Sequence, residues 1–162
     1  MALRSLDDLF VHFLRDIHYA ETQVRKALPE MASEAESQEL RETLALHHRE
    51  TEEQIVNLER IFEMLEVGSD GVNCEAIDGI LAEGRAIMAE VELPGARDAG
   101  LIAAAQAIEH YEITRYATLF AWATQLGKSE AARLLRANLE QEYAADRKLS
   151  GLAEKTLNRE AA

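Results

Sequence analysis

Apolar residues recur along most of the chain every three to four positions, which is the spacing that places side chains on one face of an α-helix. The most regular segment runs from Ile102 to Leu126. Two carboxylates lie in the middle of its apolar face. Without a partner, a buried carboxylate costs several kcal/mol, so protons, basic side chains or a metal ion must compensate this pair. The inward-facing positions are Ile102, Ala105, Glu109, Glu112, Tyr116, Leu119, Ala123 and Leu126.

Three further long helices are predicted, and each has a polar interruption near the middle of its apolar stripe. The first begins at Ser5, whose side chain can form an N-terminal cap with Asp8. It runs past Pro29, where we expect a kink or a short continuation. Ser129 is predicted to cap the last helix. The interruptions are Glu21 in the first helix, His47 and Glu50 in the second, and Glu142 and Asp146 in the fourth.

The segment between the second and third long helices, 67–98, is predicted to be a crossover rather than a tight turn. It contains a short helix capped by Asn73, and a Leu93-Pro94-Gly95 break follows that helix. About 30 residues are long enough to run back along a long helix. The prediction is an all-α protein with one domain over residues 1–162: an antiparallel four-helix bundle with one long crossover carrying a short extra helix.

The polar interruptions fall at matching heights if the hairpin turns lie near residues 36 and 128. In the first hairpin, Glu21 lies 15 residues before the turn and Glu50 lies 14 after it. Two pairs match in the second hairpin. Glu112 lies 16 residues before the turn and Glu142 lies 14 after it, while Glu109 lies 19 before it and Asp146 lies 18 after it. Side-by-side hairpins would therefore bring six carboxylates together, and six could not all stay ionised without cations.

Oxygen ligands that converge from four helices suit a pair of Fe or Mn ions. The usual Glu-x-x-His pairs of such bundles are missing, because Glu53 and Ala145 stand three residues after Glu50 and Glu142. His47 is either a ligand or a donor that orients a carboxylate. His110 is interpreted as a partner of the acids or an ordinary, partly exposed residue. The predicted metal ligands are Glu21, Glu50, Glu109, Glu112, Glu142, Asp146 and His47.

Composition narrows the partners and the compartment. The 17 basic and 30 acidic residues give a net charge of −13, which would repel nucleic acid and anionic membranes alike. Cys74 is the single cysteine and no signal-like apolar run follows the N-terminus, so we expect a cytoplasmic protein. Cys74 is interpreted as a helix-start residue rather than a redox centre.

Four segments together resemble the YciE/YciF-type ferritin-like family of bacteria. The segments are DIHYAETQVRKALP, HHRETEEQIVNLE, AAQAIEHYEITRYATL and QEYAADRKL. The resemblance covers almost the whole chain, in the same segment order. It implies a ferritin-like bundle, a di-metal carboxylate centre, a tendency to dimerise and a link with stress responses. No substrate follows from it.

Two functions remain open from the sequence. The first is a di-iron or di-manganese protein that performs redox chemistry on oxygen or peroxide. The second is a metal-free bundle that serves as a stress-associated structural or protein-interaction module. We expect a homodimer in either case, since Phe120 and Trp122 lie partly outside the inward stripe of their helix.

Overall fold

A computed structural model of the protein describes residues 3–154, most of which lie in five α-helices. Four long helices form a bundle, and the short helix α3 packs on the outside against α1 and α4. None of the helices in this described part is long and apolar enough to cross a membrane. The predicted all-α fold is confirmed. The helices are α1 (Leu6–Glu34), α2 (Gln38–Leu65), α3 (Glu75–Glu90), α4 (Pro94–Gln125) and α5 (Ser129–Leu152).

Every neighbouring pair of long helices is antiparallel. α1 and α5 each pack against both α2 and α4. An ion pair of 3.0 Å joins Lys128, after α4, to Asp7 at the start of α1. Another of 3.2 Å joins Arg97 at the start of α4 to Glu34 at the end of α1. Hydrogen bonds between α2 and α5 show the same orientation, since Gln54 pairs with Glu142 and the later residue Asn57 pairs with the earlier residue Asn138. The predicted long crossover between the second and third long helices is therefore confirmed.

The hairpin turns lie where the polar breaks predict them. Residues 35–37 join α1 to α2, and residues 126–128 join α4 to α5. Gly127 has φ +69°, a conformation that glycine adopts without steric cost. The Ser5 hydroxyl accepts a hydrogen bond from the Asp8 amide at 3.1 Å, as predicted for the start of α1. α1 continues through Pro29 for five more residues, to Glu34.

Two predicted helix caps are wrong, and the crossover is shorter than predicted. Cys74 rather than Asn73 caps α3, because its sulfur accepts from the Ile77 amide at 3.5 Å. The residue before α5 is Lys128, which makes no side-chain cap bond, so Ser129 already lies inside the helix. α4 begins at Pro94, since the fixed φ of proline suits the first helical position.

Asp98 fixes the start of α4 against the turn of the first hairpin. Its two carboxylate oxygens accept hydrogen bonds from the Glu36 and Ser37 amides, each at 2.8 Å. The side chain is almost wholly buried. These bonds satisfy amides that the beginning of α2 would otherwise leave unpaired. The crossover and the first hairpin are thereby held together at one end of the bundle.

Candidate metal centre

All four long helices turn polar on their inner faces at mid-height of the bundle. α1 contributes Glu21, α2 His47, α4 both Glu109 and Glu112, and α5 Glu142. None of these residues is more than 4% exposed. On each helix, buried apolar residues precede and follow the polar residue on the inner face. The sequence therefore brings four carboxylates and one imidazole into the interior of the protein.

Four of the seven predicted ligands come together closely. One potential ligand atom from each of His47, Glu109, Glu112 and Glu142 lies within 4.8 Å of all the others. His47 Nε2 is 3.3 Å from Glu109 Oε1 and 3.9 Å from Glu112 Oε2. It nevertheless forms no hydrogen bond with either carboxylate. The arrangement resembles the cage around a cation more closely than a set of mutual hydrogen bonds.

Neutral donors hold one oxygen each of Glu21 and Glu142. The Tyr116 hydroxyl donates to Glu21 Oε1, and the Gln54 side-chain amide donates to Glu142 Oε1. Asn138 links Tyr116 to Gln54. Its Nδ2 donates to the Tyr116 hydroxyl at 3.1 Å and to the main-chain carbonyl oxygen of Gln54 at 3.3 Å. The second oxygen of each carboxylate has no hydrogen-bond partner in the described residues.

Seven buried polar atoms of the five side chains lack a hydrogen-bond partner in residues 3–154. A buried acceptor that is left unpaired costs about 1–3 kcal/mol. A folded protein rarely leaves so many such atoms at one point without a bound ligand. These atoms are therefore available to a cation. They are Glu21 Oε2, His47 Nδ1 and Nε2, Glu109 Oε2, both Glu112 oxygens and Glu142 Oε2.

Burial and mutual repulsion make the carboxylates hard to ionise. Burial is the largest cause that raises the pKa of Glu21, Glu109 and Glu112 well above its ordinary value, and the Glu142 charge adds to each shift. Burial also lowers the pKa of His47, which favours the neutral imidazole that a metal requires. Among residues 3–154, no Lys or Arg forms an ion pair with these acids. Protons or metal ions must neutralise them.

Glu50 and Asp146 lie at the border of the cluster rather than inside it. On α2 the inward position after His47 belongs to Thr51, which is fully buried, so Glu50 remains half-buried on the flank. On α5 the inward position after Glu142 belongs to Ala145, which is buried, so Asp146 lies beside the inner face. Asp146 accepts hydrogen bonds from the Gln106 amide at 3.2 Å and contacts His110 at 3.1 Å.

Of the four tyrosines, Tyr116 is the one that contacts a carboxylate of the cluster within the described residues. Tyr19 bonds to Asp78, and Tyr111 bonds to Asp16 and Cys74, whereas Tyr143 is exposed. The sequence analysis missed the role of Asn138. Its position between Leu135 and Glu142, at a spacing of three and four residues, is the signal that places it on the inner face.

Four antiparallel helices, one long crossover and a buried cluster of carboxylates with a histidine define a ferritin-like bundle. The chain belongs to the family described as Domain of unknown function (DUF892), whose model matches residues 5–162. Protein YciF of Escherichia coli (strain K12) is 39% identical over 165 residues, which span 99% of this chain and 98% of that protein. The YciE/YciF-type family indicated by the sequence is confirmed.

Solved structures agree with this assignment. The E. coli stress protein YciF has a TM-score of 0.92 and 37% identity, covering 96% of this chain and 99% of that chain. YcfI of Rhodopseudomonas palustris has a TM-score of 0.88 and 45% identity, covering 91% and 94%. A protein of Xanthomonas campestris pv. campestris, 21% identical with a TM-score of 0.74 over 93% and 92%, shares the fold.

Proposed function

We propose that this protein binds two Fe or Mn ions between its four long helices and takes part in redox chemistry on oxygen or peroxide during stress. The observation that carries the proposal is the set of seven unpartnered polar atoms on five buried side chains. Buried charges in proteins are paired or coordinate metals. The E. coli relative is called a stress protein, which supports the physiological part of the proposal.

The charge of the cluster fits two divalent ions. Glu21, Glu109, Glu112 and Glu142 together carry four negative charges when ionised, and the neutral His47 carries none. Two divalent cations balance that charge. Metal binding also opposes the effect of burial on the pKa values of these acids, because a bound cation favours the ionised carboxylate.

The donor atoms favour Fe or Mn over softer metals. Carboxylate oxygens predominate and one imidazole nitrogen accompanies them, whereas Cys74 lies apart, bonded to Tyr111. Such oxygen-rich sites suit Mn and Fe, while thiolates select Zn and Cu(I). When bound, these metals supply Lewis acidity and a one-electron redox couple.

The other residues of the site orient and shield the ligands. Tyr116 and Gln54 fix one oxygen each of Glu21 and Glu142, so that the second oxygen is directed to the cation. The apolar layers of the bundle exclude bulk water. Glu50 remains a predicted ligand, which can join the site only if its half-buried side chain turns inward. Asp146, the other predicted ligand on the border, contacts Gln106 and His110 outside the centre.

The decisive experiment is elemental analysis of protein purified without chelator. We expect about two equivalents of Fe or Mn per chain. Added Mn²⁺ should raise the unfolding midpoint of the parent but not of the Glu109→Gln/Glu112→Gln variant, since a ligand stabilises the state that binds it. The control is Glu52→Gln/Glu63→Gln, which removes two exposed acids from α2 and should keep the full response.

A different result would favour the metal-free alternative. If the parent and the Glu109→Gln/Glu112→Gln variant respond equally to Mn²⁺, these two residues are not ligands. If the purified parent holds no metal and its midpoint does not respond to Fe or Mn, the bundle is a structural or protein-interaction module. Whether the bundle binds metal or is a metal-free module, we propose that the protein is a cytoplasmic homodimer.

A further inference from the structure

An imidazole and a carboxylate contact each other outside the buried cluster, near the surface of the bundle. His110 on α4 and Asp146 on α5 face each other across the groove between these helices. We propose that they form an outer capture site for divalent cations, which passes the ions to the buried centre. The proposal rests on the proposed function, and it assigns Asp146 to the entrance rather than to the centre.

The geometry of the pair suits a cation. His110 Nε2 lies 3.1 Å from Asp146 Oδ1, and the Gln106 amide donates to the same oxygen at 3.2 Å. Asp146 Oδ2 accepts none of the hydrogen bonds in the described residues. The His110 side chain is 67% exposed and that of Asp146 is 22% exposed. A hydrated ion can therefore reach Asp146 Oδ2 from solvent, and the exposed His110 imidazole lies beside it.

The outer pair is continuous with the inner cluster. His110 follows Glu109 directly on α4, and Asp146 lies one turn after Glu142 on α5. Glu109 Oε2 and Glu142 Oε2 are buried and have no partner in residues 3–154, so a cation that leaves the outer pair finds free oxygens inside. The Asp146 charge also contributes to the raised pKa of Glu109, as expected for close carboxylates.

The groove between α2 and α5 is the other possible entrance, and basic side chains there offset the acids. It holds a cavity of about 580 Å³ whose walls include Glu39, Glu42, Arg147 and Lys148. Glu50 is the half-buried acid on that side, and the Lys148 charge opposes the rise in its pKa that burial causes. The two basic side chains cancel the attraction of the two acids for a cation, whereas no Lys or Arg of residues 3–154 forms an ion pair with Asp146. The α4–α5 groove is therefore the favoured route.

The test compares the rate of metal loading with the final amount bound. Full-length protein is stripped with chelator and mixed with Mn²⁺, and the loss of the free Mn²⁺ EPR signal is followed by rapid freeze-quench. The His110→Ala/Asp146→Asn variant should load about tenfold more slowly than the parent, because electrostatic capture accelerates association by at least this factor. Its final Mn²⁺ content should equal that of the parent.

Lys148→Gln is the matched control, since it changes the charge of the other groove and leaves the centre intact. Its loading rate should equal that of the parent. A faster rate would place the entrance between α2 and α5 and overturn the proposal. An unchanged rate in His110→Ala/Asp146→Asn would overturn it as well. A reduced final content in that variant would make Asp146 a ligand of the centre. A parent that binds no Mn²⁺ would instead refute the proposed function.

Discussion

The carboxylates of the centre differ in how many of their oxygens the protein holds. Tyr116 and Gln54 each bond one oxygen of Glu21 and Glu142, whereas both oxygens of Glu112 lack a hydrogen-bond partner in the described part of the chain. Tyr116 and Gln54 are neutral, so they orient the carboxylates without neutralising them. Neutralisation of the acids is thereby left to protons or to a cation.

Tyr116→Phe should weaken metal binding. Tyr116 is wholly buried, so phenylalanine fills the same space while Glu21 and the Asn138 amide each lose a partner. We expect Mn²⁺ affinity to fall about 10–100-fold, as is usual when a group that orients a ligand is removed. Titration with Mn²⁺ measures this. Tyr143→Phe, at an exposed position, is the control and should bind as the parent does. Equal affinity in both variants would contradict the orienting role of Tyr116.

The raised pKa values predict the pH dependence of the metal-free protein. The pKa values of Glu21, Glu109 and Glu112 are higher in the folded protein than their ordinary value of 4.5. Such groups stabilise the fold below the unfolded pKa, and this contribution is lost as the pH rises through the folded pKa. The pKa of His47 is lowered, so His47 reduces the stability of the fold as the pH falls below 6.5, the ordinary pKa of histidine. We expect the acids to have the larger effect on stability.

The Glu109→Gln/Glu112→Gln variant isolates this effect. Without metal it should be more stable than the parent, and the margin should grow by about 1–3 kcal/mol between about pH 5 and about pH 8, because unfolding of the parent then lets its buried acids release their protons. With Mn²⁺ the parent should become the more stable protein. Urea unfolding at several pH values measures both. A margin that shrinks as the pH rises would contradict the raised pKa values of these acids.

At the scale of residues, the sequence predicts which faces are polar but not which atoms meet. The stripe of α4 places Glu109, Glu112 and Tyr116 inward, and all three are buried. Helical spacing alone cannot decide whether Glu50 or Thr51 follows His47 into the core, because both lie about one turn away. Thr51 is the buried one of the two.

At the scale of elements, α3 lies so close to α4 that glycine is required. A Cβ atom on Gly100 would lie 2.5 Å from Ile87 Cγ2, and one on Gly84 would lie 3.3 Å from Ala104 Cβ. Glycine costs helical stability, so its presence inside both helices reflects this contact. The crossover helix is therefore held by close packing of side chains against these glycines as well as by the Tyr19–Asp78 hydrogen bond.

Gly100→Ala should destabilise the protein by about 1–3 kcal/mol, because the added methyl group forces Ile87 out of its position. Gly79→Ala is the matched control in α3, since nothing lies within 4 Å of its added Cβ. It should stabilise by about 0.5–1 kcal/mol through helix propensity alone. Thermal unfolding of both variants measures the difference. Equal effects would mean that the α3–α4 contact can relax without cost.

The order of the elements follows from the sequence, whereas their capping does not. Polar breaks near residues 36 and 128 and the long segment between α2 and α4 suffice for the topology, because short connections join antiparallel neighbours. The cap of α3 depends on whether Cys74 or Asn73 faces its first turn, which the local sequence does not decide. Asp98 is 61 residues from Ser37, so its role at the α1–α2 turn follows only from tertiary packing.

At the scale of the whole molecule, the outside of the bundle carries three half-buried aromatic side chains. Phe13, Phe120 and Trp122 are half-buried on the outside of α1 and α4, where the Phe13 and Trp122 rings lie 5.1 Å apart. We predict a homodimer at micromolar concentration. Light scattering should give twice the chain mass of 18.1 kDa. A mass of one chain would contradict this prediction, and Phe120→Lys should shift a dimer towards that mass.

The antiparallel arrangement gives the proposed centre a mechanical consequence. Glu21 lies near one end of the chain and Glu142 near the other, and both hairpin turns and the crossover lie between them. A cation held by both acts as a reversible cross-link that closes almost the whole bundle into one loop, as a disulfide would. Force applied to the two termini would peel off the ends of α1 and α5 first. The enclosed chain would lengthen only after the ion departs.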